Sequence, residues 1–554
     1  MSKVKFQQMK CFNKEIIAVL LVALLSQSVD AQSEYKKPTP ATKPAASTSK
    51  QPKAVAGKEA SPKEAKSDSK DAQASKPNGG GQLIETFKKC FPNGLDVSYK
   101  GDSKYKNATF YWNSRLESPA PAAVVRPKTY SEVKKAVRCS SFYTSVSVRS
   151  GGHSYEGYWQ GNKDGVVVDL RNLNKVKVDS SKKLVTVQAG ALLGNVMAEL
   201  WKSDKGALPH GLQPTIGMGG MTLGGGFGLL ARNYGLLVDQ VVSMKMVNAA
   251  GNEMTVDRNG KYKDLFFALC GSGGGSYGVV TEFTYKYIKM DRNLTVARYN
   301  WVADKKNYTS ILGSIMKYYD SNPPNAASHY LNLSPGGSIE LGITYSDAKD
   351  HKVYTDKLET IVAKPNTKDI RSLDFIDSFQ FYAGLAGKPA TSTLDDLANT
   401  QPEAEQRYFK GRSGFLKKSL DEGTMKRLSD ILVAPGQNLF VLIDLWGGAI
   451  SQKPANSFAN RNKYASVQMG ATSDAMIPTL DKIYNTLKPS FDGAYQNYMD
   501  IKETNYMKSY YPGLETKLMA TKTKYDPKDV FRFKQSVPTT SNAGGANGYS
   551  KQDA

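Results

Sequence analysis

Arg149-Ser150-Gly151-Gly152-His153-Ser154-Tyr155 follows the strand-like Val146-Ser147-Val148, and a second glycine-rich run, Gly217 to Gly228 (GMGGMTLGGGFG), lies downstream. Glycine takes positive φ at little cost and lets the backbone approach a ligand closely, so successive N–H groups converge on an anion. Both runs read as phosphate-facing loops. One such loop decides little, because most are ordinary turns. The order of pieces decides more: VSVRSGGHSYEG, VVVDLRNLNKVKVD, VTVQAGALLGNV, the second glycine run leading to a strand from Val238 to Asn248, then LCGSGGGSYGVVTEFTYK.

Outward from these loops the pattern is globular. Leu83 to Cys90 reads as a helix and Ala122 to Pro127 as a short strand. Tyr130 to Ser140 has amphipathic helical spacing, with Ser131 as the expected N-cap and Glu132 in the first turn. Val166 to Leu170 and Leu184 to Gln188 read as strands and Leu193 to Trp201 as a helix, which together make two small α/β subdomains. After about Lys289 the glycine clusters stop. Tyr308 to Tyr319 then reads as a helix, and Ser338 to Tyr345 and Leu439 to Leu445 as strands.

At 554 residues, two domains are the natural expectation. Lysine and arginine number 74 against 51 acids, a net charge of +23. A basic surface attracts phosphate backbones, but no finger, RNA-binding or basic-helix motif accompanies it, so nucleic acid is not the expected partner. Acidic glycans or wall polymers fit such a surface as well. The four histidines are scattered and no Cys/His cluster has ligand spacing, so no metal is expected.

Lys3, Lys5, Lys10 and Lys14 precede an apolar run, Ile16 to Leu25, and then Val29-Asp30-Ala31, the layout of a secretory signal peptide at 1–31. The run is short for a bilayer span, so no integral membrane segment is expected after its removal. Residues 32–81 are a Lys/Pro/Ala/Ser tail with too little apolar surface to fold, and 539–554 a solvated tail. Asn107, Asn293, Asn307 and Asn332 open Asn-X-Ser/Thr sequons, the last weakened by Pro335.

The ordered segments above, with the closing Tyr495-Gln496-Asn497-Tyr498-Met499-Asp500 and Lys524 to Ser536 (KYDPKDVFRFKQS), resemble the vanillyl-alcohol oxidase superfamily and, within it, berberine bridge enzyme-like oxidases. The resemblance runs from about Cys90 to Pro538. It implies an α+β fold: a two-subdomain FAD-binding domain at 82–289, a substrate domain with an antiparallel sheet at 290–505, and a segment at 506–538 that completes the first domain. It also implies a Cys90–Cys139 disulfide, which leaves Cys270 free, and a monomer.

By the same resemblance His153 bonds covalently to the flavin. Around it the resemblance implies a cofactor set of Arg149, Ser150, Gly151, Gly152, Ser154, Gln213, Ile216, Gly217, Gly219, Gly220, Gly224, Gly225, Gly228, Asp239, Gly278, Val279, Val280 and Asn497. Gln213 stands where many relatives carry a second flavin-linking cysteine, and an amide is no nucleophile, so a single covalent link is expected. Met221 stands where relatives often have histidine and has no N–H to donate. Ile216 matches a position near the flavin face that influences oxygen access, which leans toward an oxidase.

Oxidising an alcohol carbon requires a base to take the hydroxyl proton as hydride leaves. Asp444, in Ile-Asp-Leu-Trp-Gly-Gly, and Tyr495 match the acid and tyrosine of carbohydrate-oxidising relatives, with Tyr155 and Tyr498 beside them and Gln468 at the sugar. Each has a plainer alternative, since tyrosines are commonly packed in cores and Asp444 can brace the Gly447-Gly448 turn. The leading expectation is a secreted FAD-dependent oxidase of a sugar or oligosaccharide hemiacetal, with oxygen reduced to hydrogen peroxide. The alternatives are oxidation of a phenolic or alkaloid-like metabolite, or a secreted binding protein with a decayed flavin site.

Overall fold

A computed structural model describes residues 80–542 except 92, 347–350, 384–389, 400–405 and 453–455. The expected signal peptide, nearly all of the N-terminal tail and the last residues of the C-terminal tail lie outside this range. The first helix, Gly80–Cys90, begins three residues earlier than its spacing predicts. The Cys90–Cys139 disulfide ties it to the helix Tyr130–Ser140, and Cys270 is free and buried. That second helix is capped by Thr129, whose side chain accepts from the Glu132 N–H, and not by Ser131. Thr129 has the extended backbone an N-cap needs, whereas Ser131 already lies inside the helix.

Strands β1 (Val97–Tyr99), β2 (Ala123–Val125), β3 (Val146–Arg149) and β4 (Val166–Asp169) form a mixed sheet in the order β1-β2-β4-β3. β5 (Val176–Asp179) and β6 (Leu184–Gln188) open a second sheet. β7 (Gly206–Ala207) leaves it, and β8 (Val241–Val247), β9 (Glu253–Asp257) and β10 (Val279–Lys286) complete it antiparallel in the order β5-β6-β10-β8-β9. The strand expected from Val238 starts at Val241, because Leu237–Gln240 closes a 3-10 turn in which the Leu236 N–H donates to Asp239. β11 (Ile288–Lys289) pairs with β7.

The third sheet has seven strands, all antiparallel, in the order β15-β12-β14-β13-β17-β18-β16: β12 (Leu294–Val302), β13 (Ala327–Ser334), β14 (Ser338–Tyr345), β15 (Thr367–Leu373), β16 (Lys410–Leu416), β17 (Leu439–Leu445) and β18 (Ala465–Ala471). Residues alternate between its faces. Tyr299, Leu331, Leu341, Ile443 and Val467 pack under the helices Tyr308–Asp320, Glu422–Leu432 and Ile477–Leu487. The other face carries Arg298, Tyr330, Glu340, Asp444 and Gln468, and it closes over the glycine loops.

The chain does not divide cleanly between its cores. Phe375, Phe379, Trp446 and Phe458 come from the middle of the sequence but belong to the first core, with Leu518, Val530, Phe531 and Val537 from its end. The Val146 N–H donates to Val530 O at 2.9 Å. Buried Lys522 donates to Ser276 O, Phe531 O and Asp526, which fixes the closing segment beneath the third glycine loop.

Candidate active site

The two leading glycine loops meet. A Cβ at Gly151 would stand 2.2 Å from the Gly217 nitrogen, so neither position admits a side chain while the loops touch. Ser150 Oγ donates to Ala189 O at 2.6 Å and accepts from the Gly219 N–H at 3.2 Å, locking the pair together. Their junction forms one wall of a cavity of about 500 Å³, and the polar face of the seven-stranded sheet forms the other.

Ser150, Gly151, Gly152, His153, Ser154, Gln213, Ile216, Gly217, Gly219, Gly220, Gly224, Gly228, Gly278, Val280 and Asn497 all line this cavity. Arg149, Gly225, Asp239 and Val279 do not. Arg149 lies behind the wall, stacked on Trp159 at 4.2 Å and donating to Ala108 O. Asp239 is held by the Arg461 guanidinium at 2.6 Å, a bond that braces the chain and leaves that carboxylate turned away from the cavity.

His153 lies against Trp112, with ring centroids 4.9 Å apart. Its Nε2 is buried and meets no hydrogen-bond partner among the described residues. Burial, then the charges of Arg407 and Arg149, pushes its pKa down to about 3, so the imidazole is neutral and keeps a free lone pair.

The residues expected to carry chemistry converge on the opposite side. Asp444 on β17 is buried, and burial alone pushes its pKa up to about 7. The Tyr495 hydroxyl accepts from the Gly226 N–H at 2.9 Å and from Asn497 Nδ2 at 3.1 Å, and burial outweighs both to raise its pKa to about 12. Asn497 is itself wedged over Gly224, where a Cβ would stand 1.9 Å from its Oδ1, and donates to Met221 O. Tyr498 packs edge-on against Tyr495 at 4.7 Å and parallel to Tyr155 at 5.7 Å. Gln468 donates to the Tyr155 hydroxyl. Burial lifts both flanking tyrosines far above their ordinary range, so all three rings rest as neutral phenols and Asp444 is the group poised to take a proton near neutral pH.

Several contributors escaped the sequence reading. Arg298, Tyr330, Glu340 and Arg407 line the cavity. Behind Tyr155 and Tyr498 lies a buried ion network: Lys410 bridges Glu156 and Asp500, Arg412 holds Asp500 and Asp481, and Arg115 holds Glu156. The visible signal for the sheet residues was polar alternation along β12, β13 and β14. Among the sequons, Asn107, Asn293 and Asn307 are exposed, whereas Asn332 faces the cavity. Among the described residues no helix is long and apolar enough to cross a membrane.

Residues 121–257 match the FAD binding domain, and 494–538 match the berberine and berberine-like family. The chain is 27% identical over 490 residues to berberine bridge enzyme-like 28 of Arabidopsis thaliana, covering 79% of this chain and 87% of that one. BBE-like 1 of Physcomitrella patens superposes with a TM-score of 0.76 at 29% identity, over 82% of this chain and 99% of its own. Phl p 4, a grass pollen allergen with glucose dehydrogenase activity, superposes with a TM-score of 0.73 at 26% identity, over 82% and 99%. The cavity fits the cofactor these matches imply: His153 Nε2 lacks a partner at one end, and a Cβ at Gly220 would meet nothing within 4 Å, so backbone faces open space there. The chain thus carries an FAD binding domain and a berberine-like closing segment, and its paired glycine loops and tyrosine-lined sheet go with an overall likeness to berberine bridge enzyme-like FAD-linked oxidoreductases.

Proposed function

We propose that the protein is a secreted, monomeric oxidase that converts the hemiacetal carbon of a sugar or oligosaccharide to the lactone. The observation that carries this reading is the buried Asp444, with its pKa near 7, facing the same cavity as Tyr495 and His153. FAD, held at His153 and the paired glycine loops, would supply the hydride acceptor and the route by which the electron pair reduces oxygen to hydrogen peroxide. Asp444 takes the proton of the anomeric hydroxyl, either directly or through Tyr495. The hydrogen bonds from Gly226 and Asn497 stabilise negative charge on the Tyr495 oxygen as its proton leaves. Gln468 and Tyr155 orient the ring, and the stacked tyrosines exclude water. The glucose dehydrogenase activity named for Phl p 4 agrees with a sugar substrate.

His153 holds the cofactor by a single covalent bond, because Gln213 offers no thiolate. Acid-denatured wild-type protein should stay yellow and carry a flavin mass increment on the His153 peptide. His153→Ala should release all its flavin into the acid supernatant. Release of flavin from the wild type would overturn the attachment. A panel of reducing sugars with peroxide detection then tests the oxidase reading, and turnover of phenolic alcohols alone would overturn it.

A further inference from the structure

The cavity floor carries a charged pair that the chemistry above does not use. Arg298 on β12 and Glu340 on β14 share the sheet face with Asp444. Tyr330 donates its hydroxyl to Glu340 Oε1, and Arg298 Nε stands 3.6 Å from the same oxygen. The guanidinium rests on the Phe381 ring at 4.3 Å and donates to Phe381 O. Glu340 is only 5% exposed, yet its Oε2 and the Arg298 Nε find no hydrogen-bond partner among the described residues. A buried acceptor and a buried donor left unmade side by side are costly, and a ligand that completes both removes that cost.

We propose that Arg298 and Glu340 form a second hydroxyl-binding subsite, which reads a vicinal diol on the sugar unit next to the one being oxidised; this rests on the sugar-oxidising reading above. Oε2 needs a donor and the guanidinium needs an acceptor, and a vicinal diol supplies both from adjacent atoms while carrying no charge. A carboxylate ligand would set its charge against Glu340, and an ammonium against Arg298. An apolar ring would seal Oε2 without a donor.

The sheet register gives the position. Tyr330 pairs with Asp444 on one side and with Gly342 on the other, so Asp444 and β14 lie two strands apart. Glu340 is two residues further along, which places the two acids about 12 Å apart at Cα from ordinary strand dimensions. That span exceeds a single sugar ring and suits a disaccharide.

The test is calorimetric titration of the holoenzyme with methyl glycosides of gluco-, galacto- and xylo-configured disaccharides and of the matching monosaccharides, none of which has an oxidisable hemiacetal. Wild type should bind at least one disaccharide about tenfold tighter than its monosaccharide, the scale of a hydrogen bond to a charged group. Glu340→Gln, which retains the bond from Tyr330, and Arg298→Lys, which retains the charge, should each abolish that preference. Flavin content and thermal midpoint report that the variants are folded. A wild type without the preference, or a preference that survives in both variants, overturns the subsite. Intact preference with no peroxide from any reducing sugar instead overturns the oxidase reading and leaves the subsite standing.

Discussion

Asp444→Asn should lower kcat/KM by about 10²–10⁴-fold, the range a positioned general base contributes, and at the same time stabilise the fold. In the wild type, kcat/KM should rise with pH along a limb centred near pH 7, where burial holds the Asp444 carboxyl. The variant should lose that limb. The stability effect has a definite sign. The folded carboxyl binds its proton more tightly than the unfolded one, so ionising it costs the folded state nothing below about pH 4. The cost grows as pH rises to about 7 and is complete above that. From the ordinary 3.8 to about 7, at about 1.4 kcal/mol per pH unit, the full penalty is about 4 kcal/mol. Denaturant titrations of the two proteins at equal flavin content should therefore coincide near pH 4, diverge as pH rises to about 7, and keep a constant gap above that in favour of the asparagine. A wild type as stable as the variant at pH 8 would show that Asp444 is better solvated than its burial implies.

Lys410→Met should cost about 3 kcal/mol of stability, the lower end for breaking a buried ion pair, because Glu156 keeps Arg115 and Asp500 keeps Arg412. Lys410 is 4% exposed at its side chain and bonds Glu156 at 2.5 Å and Asp500 at 2.7 Å. Those acids follow Tyr155 and Tyr498 by one and two residues, so the lysine ties together the two segments that carry the stacked rings. The double variant Lys410→Met/Glu156→Gln should recover more than a third of the loss, since it removes one of the stranded charges. The measurement is the urea midpoint at unchanged slope. Additive losses in the double variant would mean that the network is solvated and the lysine merely packs.

The sequence reading reached furthest where local chemistry is self-sufficient. β14 and β17 occupy the ranges read for them, 338–345 and 439–445, because β14 alternates apolar and polar residues and β17 is a short run of apolar residues broken only by Asp444. The glycine loops were legible since no other residue tolerates their approach. Lys410 was not, because its partners lie 254 and 90 residues away and a lysine opening a strand looks like a solvated edge. Glu340 escaped for the same reason: within Ser-Ile-Glu-Leu-Gly it alternates like any surface strand residue, and only the paired sheet turns that face inward. Arg149 and Asp239 went the other way. Their place beside the glycine loops pointed to the cofactor, whereas tertiary partners, Trp159 and Arg461, draw them behind the wall.

The return of the chain's end to its beginning sets an order on biosynthesis. Asn162 reaches the Arg532 carbonyl across 370 residues, and Lys522 lies beneath a loop made 246 residues earlier. A nascent chain that has delivered every residue with a proposed chemical role, through Asn497 and Tyr498, still lacks the strap that seals the first core. Such distant closure is slow. The first core therefore lacks these contacts until the segment after Tyr498 has been added. Removing residues 515–538 would keep every proposed catalytic residue and take Leu518, Val530, Phe531 and Val537 out of the first core.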